Sequence, residues 1–495
     1  MTDLIKHSGQ VFTPDYIVRL MLDEAGYQGE QILGKHCMEN SCGDGAFLCE
    51  IIRRYSSAYY DRHKSFAGIE KDLRTYIHGI ELEPNAYQCC RENVASLLAS
   101  LSLPADAVDL INADAMKIGR FDGKMDYVIG NPPYVRVHNL DGNFDAVKSF
   151  TFANGGMTDM YLVFFEIGFR MLKNGGKLCY ITPSSWLNSV AGSNLRRYIR
   201  LHRNLLSVID FGHFQAFKAT TYTLVSLFVK DESRDAFDYN VFDEVLYGKR
   251  FVQRLTFDEV DINKCFYLAP RPALALLKDI MTSRPSKFVS VKNGFATLAD
   301  DVFICSGFPF TDYVIPVIKA STGKWHEAFF PYDKCGKPVD KGDLFNKREI
   351  ASYLETHKLA LLKGRNEKDN HTWYLYGRSQ ALKDVYKNKI SINTTIKDLN
   401  SLKINSVPPG CGVYSGLYIL TDFCLDVVEE ILFTDDFISY VSSLKKYKSG
   451  GYYTFNSKEL EQYLNYTLNK KINDGEVIMP PVGKRYAFEG CQTFF

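Results

Sequence analysis

One stretch, Asp126-Tyr127-Val128-Ile129-Gly130-Asn131-Pro132-Pro133-Tyr134, constrains the fold of this chain more than any other. Apolar Tyr127, Val128 and Ile129 read as a buried parallel strand. Gly130 permits a sharp turn at its C-terminal end, where open α/β sheets place their ligands. Two successive prolines fix φ and hold the Asn131 side-chain oxygen and the Pro132 carbonyl as a nearly rigid pair of acceptors, suited to an NH2 group. Tyr134 adds a flat face for the planar group that bears the amine. A Pro-Pro turn beside a surface tyrosine would read the same way, so the rest of the chain has to decide.

The first half alternates strand and helix. Pro14 to Gly26 has Ile17, Val18, Met21 and Leu22 at helical spacing, with Thr13 expected as N-cap and Pro14 as first helical residue. The stretch Lys35-His36-Cys37-Met38-Glu39-Asn40-Ser41-Cys42-Gly43-Asp44-Gly45-Ala46-Phe47-Leu48 reads as a strand and a glycine-bearing turn, followed by a helix through Ile51 and Ile52 to Tyr55. Glycines there let backbone approach a ligand and the helix start offers free N–H groups, yet no Gly-Lys-Ser/Thr is present, so the ligand implied lacks a triphosphate.

The next strand should end in an acidic residue if the ligand has a ribose, because one carboxylate accepts from both vicinal hydroxyls. Glu81 is chosen over Glu70, since Leu82-Glu83-Pro84-Asn85 opens a clear helix, whereas Glu70 runs into Lys71-Asp72 and reads as a loop residue of an insertion; the long gap from Glu39 to Glu81 keeps Glu70 as a competitor. Val108–Ile111 is a further short strand, after which Asp114 can accept from an exocyclic amine or cap a turn. Asn139–Gly156 reads as a mobile loop, and Asp159–Leu172 as a helix closed by Lys173-Asn174-Gly175-Gly176. A strand over Lys177–Thr182, a helix over Ser193–His202 and strands over Leu205–Phe211 and Tyr222–Val229 follow.

From Asp231 the alternation becomes irregular, with Pro272–Met281 and Leu425–Phe433 as the clearest helices. Basic and aromatic residues interleave from His371 to Gln380 and from Lys445 to Tyr453, a mixture able to meet phosphates and base edges or to form a solvated face.

The 59 basic and 58 acidic residues leave a charge of +1, so any polyanion surface is local. Twelve cysteines without a Cys-x-x-Cys pair argue against a zinc finger or a disulfide scaffold, and no metal site is expected. Met1–Pro14 has no apolar core of signal type and no run approaches a membrane span, so a cytoplasmic protein without membrane association is expected. A chain of 495 residues exceeds one ordinary core; two domains, 1–235 and 236–495, are expected.

A Phe-Thr-Pro helix start, a glycine turn, a Glu, an Asp and Asn-Pro-Pro-Tyr thus follow successive strands in order. This series resembles the S-adenosylmethionine-dependent N6-adenine DNA methyltransferases of restriction-modification systems, in the gamma motif order of TaqI-like enzymes; the likeness is firm over the first domain and weaker beyond. The resemblance implies an α/β, Rossmann-like class I methyltransferase domain with a mostly parallel sheet and a β-hairpin edge, followed by an α+β target-recognition domain. Asn131, Pro132 and Tyr134 then become catalytic, with Phe217 stacking on the target base opposite Tyr134, although nearby Phe214 competes for that place. S-adenosylmethionine would be held by Phe12, Thr13 and Pro14, by Glu39, Asn40, Ser41, Cys42, Gly43 and Gly45 around its methionine moiety, by Glu81 and Leu82 at the ribose, by Asp114, Ala115 and Phe164 at the adenine, and by Asn131 and Pro133.

Asn40 stands where the family usually has proline, which implies a looser loop. Arg378, Gln380, Lys445, Lys446, Lys448 and Tyr452 would contact double-stranded DNA, in a monomer or dimer, and a separate cognate restriction endonuclease is the implied partner. Two competing functions share some of these features. A protein-glutamine N5 methyltransferase has the same tetrapeptide but no need of the long second half; a catalytically silent DNA-binding subunit would not need Asn131, Tyr134 and Glu81 together.

Overall fold

The computed structural model describes residues 13–136, 147–154, 158–217, 221–284, 287–363 and 371–480. Two compact units divide the chain, Met1–Ala275 and Leu276–Phe495.

The first unit is a nine-stranded sheet. Its strands are β1 (Cys37–Glu39), β2 (Ile77–Glu81), β3 (Asp109–Asn112), β4 (Met125–Gly130), β5 (Leu172–Pro183), β6 (Leu205–Asp210), β7 (Thr223–Val229), β8 (Ala236–Asp243) and β9 (Gly248–Thr256), in the spatial order 3-2-1-4-5-7-6-8-9. Strands β3, β2, β1, β4 and β5 run parallel, β7 is antiparallel to both β5 and β6, and β9 closes the sheet antiparallel to β8. The β6–β7 pair, expected at the edge, is therefore internal. Because β8 and β9 continue the same sheet, the first unit extends past residue 235.

Period-two alternation sorts the strand side chains into two cores. Val128, Leu178 and Tyr180 face one, and Ile129, Cys179 and Ile181 the other. Helices α1 (Asp15–Ala25), α2 (Ala46–His63), α3 (Ile69–Tyr76) and α4 (Pro84–Ser100) bury Ile17, Met21, Ile51, Leu73 and Val94 against the second core. Helices α5 (Met160–Met171) and α6 (Ser193–His202) bury Phe165, Phe169, Leu195 and Ile199 in the first. Covered on both faces, the central strands read as the near-continuous apolar runs seen in the sequence.

Three local expectations change. Pro14 is the N-cap of α1 and Asp15 its first residue, so Thr13 is left for another task. Helix α5 stops at Met171 and β5 begins at Leu172, so Lys173-Asn174-Gly175-Gly176 lies in the strand; a Cβ on Gly176 would sit 2.8 Å from the Met125 carbonyl, a close strand approach that requires glycine. Glu70 lies on helix α3, not in a loop, and pairs with Arg74 at 3.1 Å. Most of the expected loop Asn139–Gly156 falls outside the described residues, but Val147, Phe150, Phe152 and Ala153 are buried.

The second unit is α+β. Strands Val289–Asn293, Leu417–Thr421, Lys389–Ile392 and Ile404–Val407 make one antiparallel sheet; Ile304–Cys305, Lys324–Phe329, Val314–Lys319 and Gly412–Tyr414 make a mixed one, in which Gly412–Tyr414 runs parallel to Val314–Lys319. The expected helices run Arg271–Thr282, which begins before Leu276, and Leu425–Leu432. Arg348–Leu362 and Ser457–Asn473 are longer helices that the irregular sequence pattern did not disclose. No helix among the described residues is long and apolar enough to cross a membrane.

Candidate active site

The connections leaving β1 and β4 go opposite ways along the sheet, and such a switch point opens a crevice at the strands' C-terminal ends. A cavity of about 420 Å3 occupies it, walled by Glu39 at the end of β1, Glu81 at the end of β2, Asp114 after β3 and Asn131 after β4.

The turn between β1 and α2 wraps one side. Gly43 and Gly45 have φ of +55° and +88°, where a side chain is strained, and a Cβ on Gly45 would lie 2.7 Å from Cys90 Sγ. Gly79 in β2 makes room for the same turn, since its Cβ would come within 2.8 Å of Cys42 Sγ. Glu81 then fastens the turn: its Oε2 accepts from the Gly43 N–H at 2.8 Å and its Oε1 from the Glu83 N–H at 2.9 Å. Burial raises the Glu81 carboxyl and the N–H bonds from Glu83 and Gly43 pull it back. Glu70 is not on this wall.

Glu39 is 2% exposed, and its Oε2 has no hydrogen-bond partner among the described residues. Burial pushes its carboxyl well above the usual range, and Cys90 adds to the effect. Asp114 takes the capping part that the sequence allowed and also faces the cavity. Its Oδ1 accepts from the Met116 N–H at 3.0 Å, capping the turn Ala115–Lys117, while the residue stands on the cavity wall.

Asn131 is held from two sides. Its Nδ2 donates to Thr13 Oγ1 at 3.1 Å, and its carbonyl accepts from Ser41 Oγ at 3.2 Å. The first bond is the task of Thr13 in place of capping α1. It sets the amide so that Oδ1 is the edge turned away from Thr13. Three residues on, the Tyr134 hydroxyl donates to the Ile181 carbonyl at 3.0 Å, and burial keeps the phenol well above its ordinary pKa. Phe217 lies beside Tyr134, ring centroids 6.1 Å apart and planes at 73°, so the two meet edge to face. Phe214 instead packs with Phe242 and Tyr16. Between the two candidates, Phe217 is the neighbour of Tyr134.

Asn40 does not loosen the loop. Its amide is 1% exposed and reaches the Tyr180 hydroxyl at 2.7 Å from Nδ2 and 3.0 Å from Oδ1. Thr13, Asn40, Ser41, Cys42, Gly43, Leu82, Ala115, Pro132, Pro133 and Phe164 complete the anticipated part of the wall; Pro14, Gly45, Tyr134 and Phe217 are not on it, and Phe12 lies outside the described residues. Ala113, Met116, Val135 and Met160 also line it. Their only signal in the sequence was an apolar residue next to a polar motif, too common to single them out.

In the second unit the anticipated DNA contacts separate. Trp373, Tyr374, Leu375 and Tyr376 are buried, with the Tyr376 hydroxyl donating to the Phe329 carbonyl at 2.9 Å, so these aromatics are core. Gln380 Nε2 donates to the Gly294 carbonyl at 2.5 Å, and Lys446 pairs with Glu459 at 2.5 Å, so both have partners inside the unit. Lys445 lies over the Tyr447 ring at 5.9 Å. Arg378, Lys448 and Tyr452 are exposed.

Residues 75–217, which carry β2 to β6 and the tetrapeptide, match the family model described as Eco57I restriction-modification methylase. Over this segment the chain is similar to restriction-modification methylases. It is 30% identical over 216 residues to the Type II methyltransferase M.PaeR7I of Pseudomonas aeruginosa, an alignment covering 42% of this chain and 38% of that protein. To the Type II restriction enzyme and methyltransferase RM.Eco57I of Escherichia coli it is 24% identical, covering 76% of this chain and 48% of that protein. The chain thus spans about half the length, or less, of these curated relatives. Among solved structures, the Type IIL restriction-modification enzyme MmeI in complex with DNA shares the fold at a TM-score of 0.59, with 11% identity, 95% of this chain and 70% of that chain covered. The first unit is an open, mostly parallel α/β sheet with its crevice at the switch point.

Proposed function

We propose that this restriction-modification methylase relative transfers a methyl group from S-adenosylmethionine to N6 of an adenine flipped out of duplex DNA, as the modification activity of such a system. The observation that carries the reading is the amide of Asn131, pinned by Thr13 at the edge of a cavity whose wall holds a buried, incompletely bonded carboxylate, Glu39.

The residues present fit the cofactor. A buried carboxylate with an unsatisfied oxygen calls for a cation, and S-adenosylmethionine carries two, an ammonium and a sulfonium. Glu81 retains lone pairs for vicinal ribose hydroxyls, Asp114 has a carboxylate for an adenine amine, and Phe164 offers an apolar face. When bound, the cofactor supplies an electrophilic methyl group.

The chain's own groups then have to present a nucleophile. An adenine amine is a weak one because its lone pair is delocalised into the ring. Accepting its two N–H bonds at Asn131 Oδ1 and the Pro132 carbonyl draws the nitrogen toward tetrahedral geometry and frees the lone pair. Positioning supplies most of the rate under such conditions, through a near-attack separation of about 3–3.5 Å. Tyr134 is no base here, since burial keeps its phenol protonated and bonded to Ile181. It stacks instead. Flipping a base costs a few kcal/mol, and stacking on aromatic faces returns about 1–3 kcal/mol. A base entering between Tyr134 and Phe217 has to displace their present edge-to-face contact. DNA as substrate is supported by the Type II methyltransferase relatives and by the exposed Arg378, Lys448 and Tyr452. A separate restriction endonuclease is the partner this reading implies.

Replacing the acceptor tests the reading. Asn131→Ala should lower the single-turnover rate by about a thousandfold, the scale of losing one transition-state hydrogen bond partner, with cofactor affinity within about threefold of wild type. Retained turnover would contradict the assigned role.

A further inference from the structure

We propose that Tyr180 is a positioning residue of the cofactor cavity, one that fixes two of its walls from behind; the inference rests on the methyltransferase reading above. Tyr180 is fully buried on β5 and lies outside the cavity lining, so it touches no ligand there. Its hydroxyl meets the Asn40 amide at 2.7 and 3.0 Å and the Phe164 carbonyl at 3.4 Å. Asn40 and Phe164 both line the cavity, the first in the glycine turn after β1, the second on α5. One hydroxyl therefore sets the spacing between the turn and the aromatic wall.

Packing alone does not account for this phenol. The ring is already seated edge-on against Phe165 at 5.6 Å, and a phenylalanine would fill the same place. Opposite the oxygen, α5 carries Gly168 in its interior, where glycine is disfavoured; a Cβ there would lie 2.9 Å from the Tyr180 oxygen and 2.6 Å from Leu178 Cδ1. The helix thus gives up a side chain at the place where the hydroxyl needs room. Without the phenol oxygen, the Asn40 amide would be buried and lose the partner that both its ends now reach.

The neighbouring residue makes the effect separable. The Ile181 carbonyl anchors Tyr134, so β5 holds the target-base side through Ile181 and the cofactor side through Tyr180. Loss of the Tyr180 hydroxyl alters the second and leaves the first in place.

The test is titration calorimetry with S-adenosylhomocysteine on the full chain, wild type, Tyr180→Phe, Asn40→Ala and the double variant, alongside melting temperatures and steady-state kinetics. Each single change should weaken binding about tenfold, and the double variant should be no weaker than the worse single, because both remove the same bond. For Tyr180→Phe, KM for the cofactor should rise in step while kcat and KM for DNA stay within about twofold. Tyr180→Phe binding as tightly as wild type, additive losses in the double variant, or a lower melting temperature with unchanged binding would each overturn the positioning role. If wild type itself fails to bind, the methyltransferase reading falls first and this inference with it.

Discussion

In the N-terminal unit, Glu39, Glu81, Asp114 and Asn131 stand at the ends of successive strands and wall a single cavity, where hydrogen bonds tie Glu81 to the glycine turn and Asn131 to Thr13 and Ser41. In the C-terminal unit, residues of an equally suggestive kind scatter. Trp373 and Tyr376 pack into a core, Gln380 and Lys446 bond within the unit, and Arg378, Lys448 and Tyr452 stay on the surface. Polar residues placed by strand ends converge because the sheet makes them converge. Residues picked out by composition alone have no such geometry behind them, and each must be tried on its own.

The largest expected effect breaks the comparison if it fails. Trp373, 4% exposed, should cost about 3–5 kcal/mol of stability on Trp373→Ala, seen as an earlier denaturation transition, with cofactor affinity unchanged. A loss of DNA affinity at unchanged stability would return the aromatics to the surface.

Glu39→Gln acts in the other unit. It should weaken cofactor binding about ten- to hundredfold without a comparable loss of stability, since a buried charge facing a cation is replaced by a neutral amide. Calorimetry in buffers of different ionisation enthalpy adds a sign. The Glu39 carboxyl lies above its ordinary value when unliganded, and a bound cation lowers it. Binding should therefore release protons below that raised value, with affinity increasing as pH rises toward it, and Glu39→Gln should release none.

Asp384 sharpens the account of the second unit. Burial would raise its carboxyl, but hydrogen bonds from Lys292, Lys387 and Tyr418 outweigh it and hold the group at about 2. A depressed carboxylate contributes fully above its unfolded value of about 4 and loses that contribution as pH falls toward 2. Acid melts should show this loss in wild type and a flatter limb in Asp384→Asn.

The smallest effects separate surface from interior. Arg378→Ala should weaken DNA binding severalfold and reduce the slope of log affinity against log salt by about one, if it meets a phosphate. Lys446→Ala should instead lower the melting temperature and leave the salt slope alone, since it strands Glu459.

Much of the first unit was legible because its strands end in short motifs and its helices keep their apolar period. The helix Ser193–His202 and the choice of Glu81 over Glu70 follow from patterns of a few residues. What escaped depends on residues far apart in sequence. Thr13 looks like a helix cap until β4 brings Asn131 beside it, and Asn40 looks like a weakened loop until β5 supplies Tyr180. The strands β8 and β9 lie past the boundary expected at residue 235 because the alternation of strand and helix becomes irregular from Asp231, although the sheet runs through them. In the second unit short strands alternate with buried aromatics, and no period distinguishes Trp373 in the core from Tyr452 on the surface.

The central claim, that the Asn-Pro-Pro-Tyr corner presents an exocyclic adenine amine for methylation, is tested most directly by nucleoside analysis of duplex DNA treated with the wild-type chain and methyl-labelled S-adenosylmethionine. All label recovered as N6-methyladenine is the predicted result. Label in 5-methylcytosine, or in protein glutamine with none in DNA, would contradict it.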